Sequence, residues 1–332
     1  MRKVMVVWNC IIHPNGNLIS TPSSATEVTA CRAVALGFFD GVHLGHQKIF
    51  RTMQEAAQEE GLRTAVQTFS SPPSSKAQNR LITTYAERCR LVSHMKIDDL
   101  FAMPFDANVK NMAPETFMDV CIKDWMKTRI VVVGRDYRFG LGREGDVQML
   151  RKWGQKNNIR VITVDPENYE DRRISSSWVR ELIAEGDVEK AEKLLGHPVA
   201  FTGVVEQGQQ LGRKLGFPTA NIRVPEQKVV PKFGVYASAY VYMDHIYPSI
   251  TNIGMRPTVN KEGGSPLTET MIFDQHLSLY GTFGSVLLLK FIRPETEFGS
   301  LDELKTQMQS DQEVVRSYHR SRQIPVRFEG YV

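Results

Sequence analysis

Two histidines three residues apart, His43 and His46, stand in a glycine-punctuated string, Gly37-Phe-Phe-Asp-Gly-Val-His-Leu-Gly-His46. Imidazoles beside the free backbone N–H groups of a helix start suit a phosphate, and Gly45 between them lets an anion come close. Asp40, His43 and His46 also admit a metal ion, and either histidine alone admits a plain helix cap. A second string, Ile174-Ser-Ser-Ser-Trp-Val-Arg180, sets hydroxyls and a guanidinium at another helix start. Serines there cap helices; with Arg180 they would also hold a polyphosphate. A third, Leu211-Gly-Arg-Lys-Leu-Gly-Phe-Pro-Thr-Ala-Asn-Ile222, places Gly212, Lys214 and Gly216 before a Pro-Thr. It reads as a phosphate-cradling loop or as an ordinary basic loop, and it lacks the Gly-Lys-Ser/Thr order of a Walker loop.

The elements that must hold these groups follow from periodicity. Ala33 to Leu36 is an apolar run that predicts a buried strand. Ile49, Phe50, Met53, Ala56 and Ala57 fall at helical spacing after it, and Gly61 is a natural stop. The histidines therefore sit at a strand-to-helix turn, where an open α/β sheet binds its ligand. Further strands are expected near the start of the chain and over 64–69, 100–104, 130–133 and 160–164, with helices over 85–94, 114–125, 146–156 and 174–184. A polar loop is expected from His13 to Thr29. Strands alternating with helices indicate a parallel sheet. A short helix closes this half before Pro198, and the boundary is read as 1–197 and 198–332. From Val199 helical periodicity gives way to short strands over 200–205, 234–242, 247–252, 268–274 and 285–292, the spacing of a small antiparallel barrel. A helix from Leu301 to about Tyr318 follows, then a basic tail with Arg320, Arg322 and Arg327.

Composition narrows the classes. A chain of 332 residues holds two domains. A net charge of +4 is too small to argue for nucleic acid. The four cysteines, all in the first half, show no metal spacing and suggest free thiols in a reducing cytoplasm. No apolar run reaches the length of a membrane span. Gly140-Leu-Gly-Arg-Glu-Gly145 matches a dinucleotide fingerprint with Asp165 downstream. Five residues, Arg135 to Phe139, part it from the strand end, however, so a charged glycine-rich loop explains it better. Nothing in the sequence bears on oligomeric state.

The first string resembles the His-x-Gly-His signature of nucleotidyltransferases. In full it is similar to the amino-terminal half of the bacterial bifunctional riboflavin kinase/FAD synthetase family. Gly134-Arg-Asp-Tyr-Arg-Phe-Gly140 and Ile174-Ser-Ser-Ser-Trp-Val-Arg180 resemble that family's other nucleotide-site strings. Leu211 to Ile222, Gly234-Val-Tyr-Ala237, Asn252-Ile-Gly-Met-Arg-Pro-Thr258 and Glu269-Thr-Met-Ile-Phe-Asp274 resemble riboflavin kinase. The resemblance covers nearly the whole chain, in the family's order. It implies a Rossmann-like nucleotidyltransferase domain followed by a small antiparallel β-barrel kinase domain with a C-terminal helix. It implies riboflavin, FMN, FAD and ATP as substrates and products, with Mg²⁺ accompanying ATP.

By that resemblance His43, His46 and Arg180 serve adenylyl transfer, with Gly37, Phe39, Asp40, Gly45, Asp136, Ser176 and Ser177 around the nucleotide. Glu269 matches the general base of the kinase, Thr219 the metal residue, and Gly212, Lys214, Gly216 and Asn221 the phosphate contacts. A carboxylate to take an alcohol proton, with cations and metal to spread charge, is what phosphoryl transfer needs. One string departs from the family. Where it carries Phe-x-Pro-His-Pro, this chain has Phe69-Ser-Ser-Pro-Pro73. That leaves two other readings: a kinase with a weak or lost adenylyltransferase half, or a non-catalytic flavin-binding regulator.

Overall fold

The computed structural model describes residues 5–12, 18–22, 30–72, 80–207, 219–243, 245–255, 266–275 and 277–322. The chain forms two compact units, Met1–Lys76 with Arg88–Ser175, and Ala77–Glu87 with Ser176–Val332. Sequence texture changes at Val199, whereas the second unit already begins at Ser176 and includes an early segment.

In the first unit the elements run β1 (Val6–Ile12), β2 (Leu18–Pro22), β3 (Arg32–Leu36), α1 (Leu44–Glu60) and β4 (Arg63–Phe69). Helix α2 (Tyr85–His94), whose last residues from Arg88 belong to this unit, leads to β5 (Asp99–Met103), α3 (Ala107–Lys110) and α4 (Pro114–Thr116). Helix α4 continues as a π-helix over Phe117–Trp125, closed by a bond from Met126 N–H to the Cys121 carbonyl. Then come β6 (Thr128–Gly134), α5 (Val147–Asn157), β7 (Arg160–Val164) and the short pair β8 (Asn168–Tyr169) and β9 (Arg172–Arg173). Seven strands form one sheet in the order β2-β1-β5-β4-β3-β6-β7. All neighbours are parallel except β1 and β2. The expected polar loop over 13–29 thus contains a strand. Its composition hid it, because its order comes from pairing along the open edge of β1, with Ile11 opposite Ile19.

The central strands are apolar on both faces because helices cover both. Residues 32–36 and 99–103 are wholly buried. At the amino ends of the strands the Asp99 carboxylate accepts from Trp8 Nε1, Arg32 Nε and both Nε and Nη2 of Arg63, at 2.8–3.1 Å. Burial opposes its ionisation, but the hydrogen bonds from Arg63, Trp8 and Arg32 prevail and hold its pKa below the usual carboxylate range.

The second unit contains α6 (Ser176–Glu185), α7 (Val188–Leu195), β10 (Val199–Val204), β11 (Ala220–Arg223), β12 (Gly234–Tyr242), β13 (His245–Met255), β14 (Pro266–Ile272), β15 (Phe283–Arg293) and α8 (Leu301–Arg322). Its six strands run β10-β15-β12-β13-β14-β11, every neighbour antiparallel. Glu206 N–H bonds the Asn221 carbonyl at 2.8 Å and brings the two ends of the sheet together, so the barrel is nearly closed. Strand β11 escaped the sequence reading; four residues are too few to show alternation.

Inside the barrel four fully buried hydroxyls form a chain. Ser238 Oγ meets Ser249 Oγ and Thr251 Oγ1 at 2.8 and 2.7 Å, and Thr251 meets Thr270 at 2.8 Å. Helix α8 packs Val315 against Ala237, Met271 and Phe273. It runs past the expected end, so Arg320 and Arg322 are helical; Arg322 is paired with Glu192 of α7. Arg327 lies outside the described residues.

Candidate functional site

Strand β3 lies between β4 and β6 although the chain goes from β3 to β4, so strand order reverses between β3 and β6. Ligands of open α/β sheets bind at such a reversal, beyond the carboxyl ends of the strands. The turn after β3 is tightly wound. Phe39, Gly41 and Val42 all have positive φ, at 55°, 79° and 42°. That is costly for a β-branched valine and marks a conformation the surroundings impose. The Phe39 ring holds it from inside, edge-on to His46 and Phe50 at 5.2 and 4.7 Å and pressed against Gly37, where a Cβ would lie 2.8 Å from the ring. Asp40 is buried in the same turn.

His43 caps α1. Its Nδ1 accepts the His46 backbone N–H at 3.3 Å, and the two rings stack with centroids 3.5 Å apart. A Cβ on Gly45 would lie 3.2 Å from the His43 ring, so the glycine is what lets the ring sit there. No carboxylate occupies the first turn of α1, which leaves its positive end open to an anion. Burial, then His43 and Arg88, hold the His46 pKa well below the ordinary imidazole value, so its ring is a neutral donor–acceptor. Its Nδ1 is buried with no hydrogen-bond partner among the described residues. The in-plane lone pairs of two stacked rings do not converge on one ion. Among the described residues, no set of three metal-ligating side chains is gathered anywhere.

Asp136 lies just beyond β6, the neighbour of β3. Its carboxylate folds back over Gly134 and pairs with Arg173 at 2.7 Å. Lys48, one turn into α1, pairs with Glu167 at 2.9 Å. Two of the fingerprint-like glycines serve packing: a Cβ at Gly140 would strike Pro114, and one at Gly145 would strike the Phe139 ring. Asp165 pairs with Arg135.

Arg88, which the sequence reading passed over, is buried in this unit. Its guanidinium lies 4.6 Å from the centre of the Phe38 ring and donates to the Phe69 carbonyl. A signal existed: Arg88 falls on the apolar stripe of α2, three residues after Tyr85 and four before the buried Val92. In the departing loop, Ser71 Oγ accepts the Phe105 N–H at 2.8 Å. Pro73 lies outside the described residues.

In the second unit Ser176, Ser177 and Arg180 share the first two turns of α6, with Ser177 exposed and the other two half-buried. Thr219 directly precedes β11, and Asn221 lies on it. Asn221 is opposite Glu269 of β14, and Glu269 is in turn opposite Asn252 of β13. Directly opposed residues point to one side of a sheet, so Asn221, Glu269 and Asn252 form a row. Glu269 is exposed, whereas Asn221 is buried and its Oδ1 has no hydrogen-bond partner among the described residues. Gly212, Lys214 and Gly216 lie outside the described residues.

A family model described as FAD synthetase matches residues 25–178, and one described as riboflavin kinase matches residues 195–319. A bifunctional riboflavin kinase/FMN adenylyltransferase of Escherichia coli is 35% identical over 308 residues, covering 91% of this chain and 95% of that protein. One of Listeria monocytogenes is 33% identical over 292 residues, covering 86% and 92%. A solved structure titled a macrolide-efflux protein from Streptococcus pneumoniae superposes with a TM-score of 0.77 at 32% identity, covering 87% of this chain and 95% of that one. Nucleotide-type geometry at the β3–α1 turn, a barrel with Glu269 and Asn221 in register, and matches over both halves agree: the chain belongs to the bifunctional riboflavin kinase/FMN adenylyltransferase family.

Proposed function

We propose that the family's two reactions are divided along this chain, with FMN adenylyl transfer in residues 1–197 and riboflavin phosphorylation in residues 198–332. The chain is an enzyme of flavin cofactor synthesis that makes FMN from riboflavin and ATP, then FAD and pyrophosphate from FMN and ATP. The row Asn221, Glu269, Asn252 carries the kinase assignment. Glu269 takes the proton of the attacking ribityl hydroxyl as that oxygen bonds to the γ-phosphorus of ATP and ADP departs. Mg²⁺ neutralises charge on the phosphates when bound. The buried Oδ1 of Asn221, which has no hydrogen-bond partner among the described residues, is the hard oxygen such an ion prefers, and the Thr219 hydroxyl is a second one nearby in sequence. Gly212, Lys214 and Gly216 are assigned to the ATP phosphates on the sequence pattern.

For adenylyl transfer the FMN phosphate is already an anion, so the task is to hold two phosphates together and stabilise the leaving pyrophosphate. The neutral imidazoles of His43 and His46 and the open end of α1 supply donors there. Gly37, Phe39 and Gly45 set that turn. Asp40 and Asp136 line the nucleotide site, and Ser176, Ser177 and Arg180 are assigned to the triphosphate. The free thiols of Cys31, Cys89 and Cys121 support a reducing, cytoplasmic setting. Incubation with riboflavin, ATP and Mg²⁺, followed by separation of the flavins, tests the reading. FMN together with FAD is expected, and absence of both would overturn it.

A further inference from the structure

Arg88 of α2 is among the largest fully buried side chains of the described residues. A guanidinium withdrawn from water is a costly filler, whereas its rigid planar fork suits the holding of separate groups in one relation. Here the groups come from two neighbouring strands. Phe38 follows β3, and Phe69 ends β4, its parallel neighbour. The Arg88 guanidinium lies over the Phe38 ring, 4.6 Å from its centre, and donates to the Phe69 carbonyl. Thr68, fully buried, donates its hydroxyl to the Phe38 carbonyl at 2.7 Å, and the Phe38 and Phe69 rings lie 6.4 Å apart. Phe69 also opens the loop that departs from the family, so the same contact fixes where that loop begins.

From Phe38 the contacts run on to the histidine pair. Phe39 is the next residue, held at positive φ, and its ring meets His46 edge-on at 5.2 Å. A turn wound this way persists only where its surroundings hold it, and Arg88 with Thr68 holds its first residue. The Arg88 charge also reaches the His46 ring and, after burial and His43, favours its neutral form. We propose that Arg88, through Phe38 and Phe39, is a positioning residue for His46 in FMN adenylyl transfer. The proposal rests on the reading of His46 as a residue of that reaction.

The test uses the full chain, with initial rates of FAD formation from supplied FMN over a range of ATP and FMN concentrations. Arg88→Met takes up much of the space without the charge or the fork. It is expected to lower kcat by roughly 10- to 100-fold, the scale of a slightly misplaced reacting group, with the KM for ATP and for FMN unchanged. Arg88→Lys keeps a cation over the Phe38 ring and recovers most of the rate. Phe38→Leu removes that ring at a half-buried position and lowers kcat in the same way. The double variant Arg88→Met with Phe38→Leu is no slower than the slower single, as for two parts of one device. Riboflavin phosphorylation is unchanged in all of them. A raised KM with kcat intact, equal losses for Arg88→Lys and Arg88→Met, additive losses in the double variant, or both reactions falling together with the melting temperature each overturn the proposal. Should Arg88→Met fail to fold, an unaltered kcat in Phe38→Leu overturns it alone. His46→Ala is measured in parallel. If it retains its rate, the role of His46 itself fails; if it is crippled while the Arg88 and Phe38 variants are not, only the positioning role fails.

Discussion

His43 and His46 lie ring on ring, and the Nδ1 of the first accepts the backbone N–H of the second. One imidazole is therefore spent on shaping the helix start, and the other keeps a buried nitrogen without a hydrogen-bond partner among the described residues. His46→Ala is expected to slow FAD formation from supplied FMN by about 10²-fold or more, as loss of a donor to developing charge does, while riboflavin phosphorylation is spared. Loss of both activities would assign the histidine to the fold.

The lowered pKa of His46 also sets a pH dependence of stability. A group whose folded pKa lies below its unfolded value of about 6.5 binds its proton preferentially in the unfolded chain. Its contribution is whole above that value and is lost as pH falls toward the folded pKa. His319 acts in the same sense: burial lowers its pKa and outweighs the opposing hydrogen bond to the Ser249 carbonyl. Urea midpoints should therefore fall between neutral pH and pH 5.5. His46→Gln should flatten the slope; an unchanged slope would mean the ring is not neutral in the folded chain.

Glu269→Gln is expected to cut FMN formation by roughly 10²–10⁴-fold, the usual worth of a positioned base. FAD formation from FMN should persist. Coupled loss of both rates would contradict the division of labour.

The hydroxyl chain behind Glu269 gives a stability test. Thr251→Val keeps the shape but takes a partner from Ser238 and from Thr270, both fully buried. A cost of about 1–3 kcal/mol is expected, read as a lowered urea midpoint. A neutral result would show that Ser238 and Thr270 are satisfied without Thr251.

Asp99→Ala should cost more, about 3–5 kcal/mol, because it removes the carboxylate from the buried Arg32. The wild-type contribution should survive down to about pH 4, the unfolded carboxylate range, and fade below it.

Much of the first unit could be read from the sequence. Ala33 to Leu36, Ile130 to Val133 and the spacing of Phe50, Met53 and Ala57 are apolar patterns that the core requires, so periodicity located them. Strand β2 and the pair β8–β9 could not be found that way, since Leu18-Ile-Ser-Thr-Pro22 shows no apolar alternation and a two-residue strand has no period. The histidine turn was legible because it packs chemistry into ten consecutive residues. The Asn221, Glu269 and Asn252 row draws on three strands, and its alignment depends on register, which local spacing does not encode. The link from Phe105 N–H to Ser71 Oγ joins residues 34 apart, which local spacing does not encode either.

The second unit also borrows from far upstream. Lys228, buried in the barrel unit, bonds Glu87 Oε2 and the Ala200 carbonyl, both at 2.6 Å, and Leu81 exchanges backbone bonds with Gln227 and Val229. Glu87 precedes its partner by 141 residues. At ribosomal speeds of about 5–20 residues per second, Glu87 emerges roughly 7–28 seconds before Lys228 exists. A single cut cannot part the two units cleanly, and a fragment beginning at Pro198 loses the Glu87 carboxylate that pairs with the Lys228 ammonium. Such a fragment should be less stable than one that also carries residues 77–87. In the nascent chain the early segment must wait, and the barrel is the last part of the molecule to become whole.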